Sequence, residues 1–303
     1  MKINSLISSI LNNQNITYVD VGAANNIDSR WSQFSKFINY IGFEPDDRSD
    51  INEPNEKYAK KKIIRNALWD SKRKIKLNLA RKPELSSYYR PNIDLVNLFP
   101  DSQRFNIVDT VNLDCIKLDD VKIANCDFIK LDVQGGELKV LEGSINKLKN
   151  CFGLQVEVEF ALIYSNQTLF SHISDFLKNN DFIFMDFVNL TRWERDNTYS
   201  GIGQCTFGDA LFLKTPESVI TSKSFNSETL SRYLAILLIY NRFDLIQIVF
   251  EKLDKNLKKT FYHNFKRIES LRKKQIRLIK FNMYINKVLK FLFGKNYRSH
   301  LTY

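Results

Sequence analysis

Along the first two thirds of the chain, short apolar runs of strand length alternate with stretches of helical period. The first run, Tyr18, Val19 and Val21, is broken only by Asp20 and stops at Gly22. A second spans residues 38–43 and ends on Glu44-Pro45, and residues 61–68 predict a third strand. Residues 74–80, KIKLNLA, and 106–114 alternate strictly, as half-buried strands do. Residues 126–133, CDFIKLDV, predict a buried strand leading into one helix that runs to about Lys149. A strand over 152–159, a helix over 169–179, and strands at 182–187 and 210–213 follow. Residues 81–100 hold Pro83, Pro91 and Pro100 without a clean period, so they predict a long loop. The alternation predicts a doubly wound, mostly parallel α/β sheet.

From about Ser227 the pattern becomes helical throughout. Two antiparallel helices with a break near Asn241 lead into a last stretch of basic helix punctuated by Phe, Ile and Leu. The expected organisation is an α/β domain over 1–218 and a basic helical region over 225–303. Net charge sharpens that division. The chain carries +11, but residues 251–303 hold 15 Lys+Arg against 3 Asp+Glu, whereas residues 1–250 hold 30 against 31. The basicity belongs to the tail. No apolar run is long enough to span a bilayer. The residues before the first strand read as a short helix, too polar for a secretory segment. Cys115, Cys126, Cys151 and Cys205 are widely spaced, without the spacing of a disulfide framework or a zinc site. The expected location is the cytoplasm, with the tail allowing a peripheral position at the inner membrane face.

The order strand, glycine turn, helix, strand, acid is a nucleoside-binding arrangement. Gly22 tolerates the positive φ of a tight turn and lets a ligand approach bare backbone. Glu44, at the tip of the second strand, lies beside that turn, where a carboxylate accepts both ribose hydroxyls. A dinucleotide site wants G-x-G-x-x-G to cradle a pyrophosphate. The turn here, Gly22-Ala23-Ala24-Asn25-Asn26, has one glycine and an acid two residues before it. That suits a nucleoside without phosphates, such as S-adenosylmethionine.

The segments YVDVGAANN, IGFEPDD, FIKLDVQGGELKVLEGS, QVEVEFALIYSNQTLF and a final GQ…DALFLK resemble, in order, the FkbM-type S-adenosylmethionine-dependent methyltransferases. The likeness runs from about Thr17 to Lys214. Family members usually carry D-V-G-A-N-x-G, F-E-P and K-x-D-V-E-G-A-E at these places. Asn26-Ile27 replaces the second glycine of the first loop, and Gln134 and Gly136 stand where the family has Glu and Ala. The resemblance implies a Rossmann-like class I methyltransferase sheet with the helical region appended. It also implies a cofactor held by Asp20, Gly22, Ala23, Asn25, Glu44, Pro45, Ala67, Leu68 and Asp132. Ala67-Leu68 would approach the adenine.

Methyl transfer to a hydroxyl gains from alignment and from a base that takes the departing proton. Asp132, where its strand ends beside the crevice, is the first candidate for a catalytic or acceptor-orienting carboxylate. Lys130 lies two residues back on the same face, and Glu159 is nearest the end of the next strand. Glu157 and Glu159 are costly in an apolar strand unless paired or solvated. They read equally as acceptor or metal ligands and as partners of Lys130 or a loop arginine. His172 is a further candidate base, Glu137 a helix-capping acid, and Ser86 to Arg90 with Arg192, Trp193 and Arg195 candidate substrate contacts. No metal ligand set is predicted, although a divalent cation is allowed.

The expected activity is O-methylation of a sugar, glycan or glycolipid precursor. The rivals are a ribose 2'-O-methyltransferase and a non-catalytic scaffold with a vestigial cofactor site. Nucleic acid is disfavoured because the region around the presumed crevice is neutral rather than basic. The basic tail suggests contact with a membrane surface or an assembly complex, or a dimer arm in a homo-oligomer.

Overall fold

The computed structural model describes residues 3–24, 27–46, 57–196 and 202–293. Asn25, expected to touch the cofactor, lies outside them. A seven-stranded sheet forms the centre. Its strands are β1 (Ile16–Val21), β2 (Ile38–Phe43), β3 (Lys60–Ile64), β7 (Phe128–Leu131), β8 (Gly153–Glu159), β9 (Phe182–Trp193) and β10 (Gln204–Lys214), in the order β3-β2-β1-β7-β8-β10-β9. The first five pair in parallel, and β10 runs antiparallel to both β8 and β9. The strand order reverses between β1 and β7, which opens the crevice at the carboxyl ends of the strands where ligands bind in such sheets. Every residue of β1 is buried, so its apolar run is a central strand packed on both faces.

Three expectations change in the structure. Residues 61–68 do not form one strand. β3 ends at Ile64, and after Asn66 the chain leaves the main sheet as β4 (Ala67–Leu68). There it pairs with β6 (Ile107–Ile116), which also pairs with β5 (Arg73–Ala80), in a separate three-stranded sheet. The helix expected through Lys149 is two helices, α4 (Glu137–Glu142) and α5 (Ile145–Lys149), broken at Gly143. A Cβ at Gly143 would lie 2.0 Å from the carbonyl oxygen of Trp69, so the close crossing excludes a side chain there. The 81–100 segment contains a one-turn helix, α3 (Ile93–Val96), and is tied down rather than free: Asn78 Nδ2 donates to the carbonyls of Ser87 and Tyr88.

The C-terminal helices are built into the core. α8 (Ser227–Ile239) is buried from Leu230 to Ile239 without interruption. A helix apolar all round must be enclosed. It packs beside α1 (Ile3–Leu11) and α9 (Phe243–Lys252), sharing one cluster with Tyr18, Phe128, Trp31 of α2 (Ser29–Ser32) and Val219 of α7 (Pro216–Ile220). Asn226 caps its start through the N–H groups of Glu228 and Thr229. Asn241, in the left-handed region at φ 55°, makes the turn into α9. Polar anchors fix the register. Arg232 Nε lies 2.9 Å from the buried Asp127 Oδ1, whose other oxygen accepts the Thr17 N–H. The Tyr240 hydroxyl accepts from Trp31 Nε1 and donates to Gln155 Oε1.

Arg232→Met strands the Asp127 carboxylate in the core, and we expect a loss of about 3–5 kcal/mol in chemical denaturation at neutral pH. The Asp127→Asn/Arg232→Met double variant recovers most of that loss, because no charge is then left unpaired. Equal losses in the single and double variants would contradict this account of the anchor.

Candidate active site

A cavity of about 480 Å³ opens at the switch point between β1 and β7. It is lined by Gly22, Glu44, Pro45, Ala67 and Leu68 on the β1–β2 side, and by Asp132, Gln134, Glu157, Glu159 and Tyr164 on the β7–β8 side. The second sheet and the 81–100 segment wall it with Trp69, Ser86 and Tyr88, and β9 and β10 contribute Trp193 and Phe207.

The glycine turn is dictated by space as well as by dihedral angle. Gly22 has φ 83°, and a Cβ there would lie 1.8 Å from the Asp132 carbonyl oxygen. Gly22 and Ala23 donate their N–H groups to the Phe43 carbonyl, which holds the turn against the end of β2. Ala23 itself is packed into the core and does not line the cavity. Asp20 sits behind the turn, 1 % exposed, accepting from the Tyr40 hydroxyl at 2.9 Å. Its place is structural support for the turn.

Glu44 follows β2 as expected. Its Oε1 accepts the Asp46 N–H at 2.8 Å, an arrangement that orients the carboxyl at the cavity's edge. Burial pushes its pKa up to about 6, against the lowering effect of that hydrogen bond.

The β7–β8 side is a cluster of carboxylates organised by one ammonium. Lys130 Nζ lies 3.4 Å from Asp132 Oδ2 and 3.8 Å from Asp20 Oδ1. It therefore joins the support of the turn to the cavity wall without lining the cavity itself. Burial alone would lower the Lys130 pKa, but Asp132, Asp20, Asp209 and Glu157 together raise it. For Asp132 the balance runs the other way: burial opposes ionisation, yet Lys130 and the hydrogen bonds from Gln134 and Glu157 hold its carboxyl below the usual range. Burial, and then the Asp132 charge, push Glu157 well up. These opposite directions describe a coupled pair in which Asp132 is the ionised member and Glu157 the protonated one. Gln134 bridges them, its Nε2 donating to Asp132 Oδ1 at 2.9 Å and to Glu157 Oε2 at 2.7 Å.

Glu159 is 3 % exposed and also lines the cavity. Burial first, then the charges of Glu137 and Asp132, raise its pKa well above that of a free glutamate. Neither Glu157 nor Glu159 forms an ion pair among the described residues; the carboxylates in contact with Lys130 are Asp132 and Asp20. Glu137, Glu157 and Glu159 offer oxygens within 4.8 Å of one another, a spacing a divalent cation can use. Glu137 Oε1, however, already accepts the N–H groups of Val133 and Gly135, and Glu157 Oε2 accepts from Gln134. Those oxygens serve the protein's own polar groups.

Gln134, Glu157 and Tyr164 are the site residues that sequence reasoning ranked too low or missed. Gln134 sits in the left-handed region at φ 57°, its backbone carbonyl accepting from Ser87 Oγ at 2.6 Å and its side-chain oxygen 3.0 Å from the Tyr164 hydroxyl. Of the expected substrate contacts, Ser86, Tyr88 and Trp193 line the cavity. The Arg192 guanidinium instead donates to the Gly203 carbonyl. His172 accepts the Leu169 N–H as a cap on α6 (Phe170–Lys178), away from the cavity.

A mostly parallel sheet in this strand order, with an antiparallel β10 inserted before β9 and an acid-flanked glycine turn at the switch point, defines the class I methyltransferase fold. Residues 20–184 match the model of the methyltransferase FkbM domain, so the chain belongs to that family. Among solved structures it is similar to the methyltransferase FkbM of Methylobacillus flagellatus KT, with 14 % identity and a TM-score of 0.39 over 66 % of this chain and 43 % of that one. It thus spans less than half of that protein's length. It is also similar to a TehB-like SAM-dependent methyltransferase of Corynebacterium glutamicum (11 % identity, 70 % and 86 % covered, TM-score 0.31). A third is M. capricolum TrmK in complex with S-adenosylhomocysteine (11 % identity, 88 % and 95 % covered, TM-score 0.31). No curated protein matches the chain. The family assignment rests on the matched span.

The buried carboxyls carry a measurable cost in stability. Glu159 titrates above its ordinary value of 4.5 in the folded protein, so its stabilising contribution is full below that value and is lost as pH rises through the folded pKa. Glu159→Gln is neutral throughout. We expect its Tm at pH 8 to exceed the parent's by about 3 °C or more, with the gap closing toward pH 5. A parent more stable than the variant at pH 8 would contradict the assignment.

Proposed function

We propose that the protein transfers a methyl group from S-adenosylmethionine to a hydroxyl of a sugar, glycan or glycolipid precursor. The observation that carries this reading is that one cavity is lined both by Gly22, Glu44, Ala67 and Leu68 and by Asp132, Glu157 and Glu159. Space for a nucleoside and space for an acceptor are joined, with carboxylates at the junction. When bound, S-adenosylmethionine supplies an electrophilic methyl on a sulfonium.

The chain's own residues do the rest. Gly22 leaves backbone bare for close approach, and Glu44 accepts the ribose hydroxyls, best when ionised. Asp132, ionised beside Lys130, gives the floor a negative field that favours a cationic cofactor. In its ionised form, whose share grows as pH rises, Glu159 accepts the proton that the acceptor hydroxyl loses as its oxygen forms the new bond. A raised pKa makes it a stronger base than a free carboxylate. Trp193, Tyr88 and Phe207 offer flat faces to a sugar ring, with Glu157 and the Tyr164 hydroxyl as hydrogen-bonding groups beside them. The acidic floor opposes a polyphosphate acceptor, which argues for a glycan over a nucleic acid.

Calorimetric titration with S-adenosylmethionine and S-adenosylhomocysteine tests the cofactor half. Both should bind saturably, and Glu44→Ala should weaken both at least about tenfold. Affinity in the parent should fall as pH drops through about 6, where Glu44 takes up its proton. Absence of binding by folded protein would remove the reading. For the acceptor half, Glu159→Gln should lower kcat about 10²–10⁴-fold with cofactor affinity retained.

A further inference from the structure

The last helix, α10 (Lys255–Phe293), divides into two parts with different surroundings. Its first turns are fixed to the body: Phe261, Phe265 and Ile268 are buried in the main core, Leu271 packs against it, and Gln275 Nε2 donates to Asn241 Oδ1 at 2.8 Å. Beyond Gln275 no described residue of the helix belongs to a core cluster. All nine residues from Ile276 to Tyr284 are exposed, on a segment that reaches about 27 Å to Phe293 at 1.5 Å per residue.

This free segment is apolar to a degree that solvent alone does not explain. Leu278 is 54 % exposed, Phe281 60 % and Tyr284 67 %. Leu278, Phe281, Ile285 and Val288 recur at spacings of three and four, which aligns them along one side of the helix. Over residues 271–288 the basic side chains are Arg272, Lys273, Lys274, Arg277, Lys280 and Lys287, and there is no Asp or Glu. No helix among the described residues is long and apolar enough to cross a membrane.

Charge selects the occupant of this face. The three-four spacing also fits a two-stranded coiled coil with a second copy, but such pairs are held in register by opposite charges flanking the seam. Two copies of this segment would set like charges against each other. A nucleic acid would satisfy the cations but leave the aligned Leu, Phe, Ile and Val side chains in water. An anionic bilayer surface satisfies both, with apolar side chains entering the headgroup boundary and lysines and arginines at the lipid phosphates.

We propose that the distal half of α10 is a membrane-surface docking helix that lies on anionic lipid. This inference does not depend on the methyl-transfer reading. The full-length protein should co-sediment with vesicles of phosphatidylcholine doped with phosphatidylserine at about 0.1 M salt, and bind vesicles of phosphatidylcholine alone at least about tenfold more weakly. Raising salt to about 1 M should release it, since the Debye length then falls to roughly 3 Å. Leu278→Glu/Phe281→Glu and Lys280→Glu/Lys287→Glu should each reduce binding at least about tenfold. Their Tm should be unchanged, because these side chains are exposed and belong to no core cluster. Four results would overturn the proposal: no vesicle binding, vesicle binding that survives Leu278→Glu/Phe281→Glu, a dimer dissociated by that variant, or tRNA binding as tight as vesicle binding and lost in the charge-reversed variant.

Discussion

The structure turns on the contact between Gly22 and the backbone of Asp132. The β1 turn passes so close to the end of β7 that a Cβ at residue 22 would fall 1.8 Å from the Asp132 carbonyl oxygen. The same two strands are joined by the Asp132 N–H donating to the Val21 carbonyl at 3.0 Å. This contact sets the crevice width. It brings the nucleoside end of the cavity within reach of Asp132, and it makes β1 and β7 share one rigid edge. Glu44 is carried to that edge by the parallel register of β2 on β1 and by the hydrogen bonds from Gly22 and Ala23 to Phe43. Preorganisation of this kind is where alignment comes from in a reaction that needs three atoms in line.

Behind the edge, electrostatics run against stability. Asp20, Asp132, Glu137, Glu157 and Glu159 converge where Lys130 is the ammonium in contact with the first two. Burial raises the pKa of three of these acids, so the folded state holds protons that the unfolded chain would release. A core chosen for stability alone would place amides or apolar groups here. Local rules are broken in this way at functional sites, with the loss offset elsewhere. Here the offset is the large apolar cluster farther along the same sheet face, around Tyr18 and Phe128, to which the enclosed α8 contributes Leu230 and the run from Tyr233 to Ile239.

The parts legible in the sequence were those encoded in contiguous pattern. The all-buried β1, the glycine at its end, the acid ending β2 and the strand before Asp132 each follow from a few adjacent residues. Tertiary crossings were not legible. Gly143 breaks its helix because Trp69, distant in sequence, passes over it. Asn66 separates two strands that join different sheets, and nothing in KKIIRNAL marks the change of partner. Gln134 reads in the sequence as the loss of a carboxylate, whereas the fold uses its amide to hold two carboxyls together. Tyr164 carries no local signal, because its role arises only when its loop folds back over Gln134. In the tail, composition alone conveyed the charge, and only the packing distinguishes the buried α8 from the exposed end of α10.

The central claim is that one cavity holds a nucleoside cofactor at Gly22 and Glu44 and presents its reactive end to Asp132 and Glu159. A crystal structure of the complex with S-adenosylhomocysteine tests it most directly. The account predicts ribose hydroxyls on the Glu44 carboxylate, backbone at Gly22 against the ligand, and the sulfur directed toward the Asp132–Glu159 end. Binding in the reverse orientation, or at a site away from the β1–β7 crevice, would contradict it.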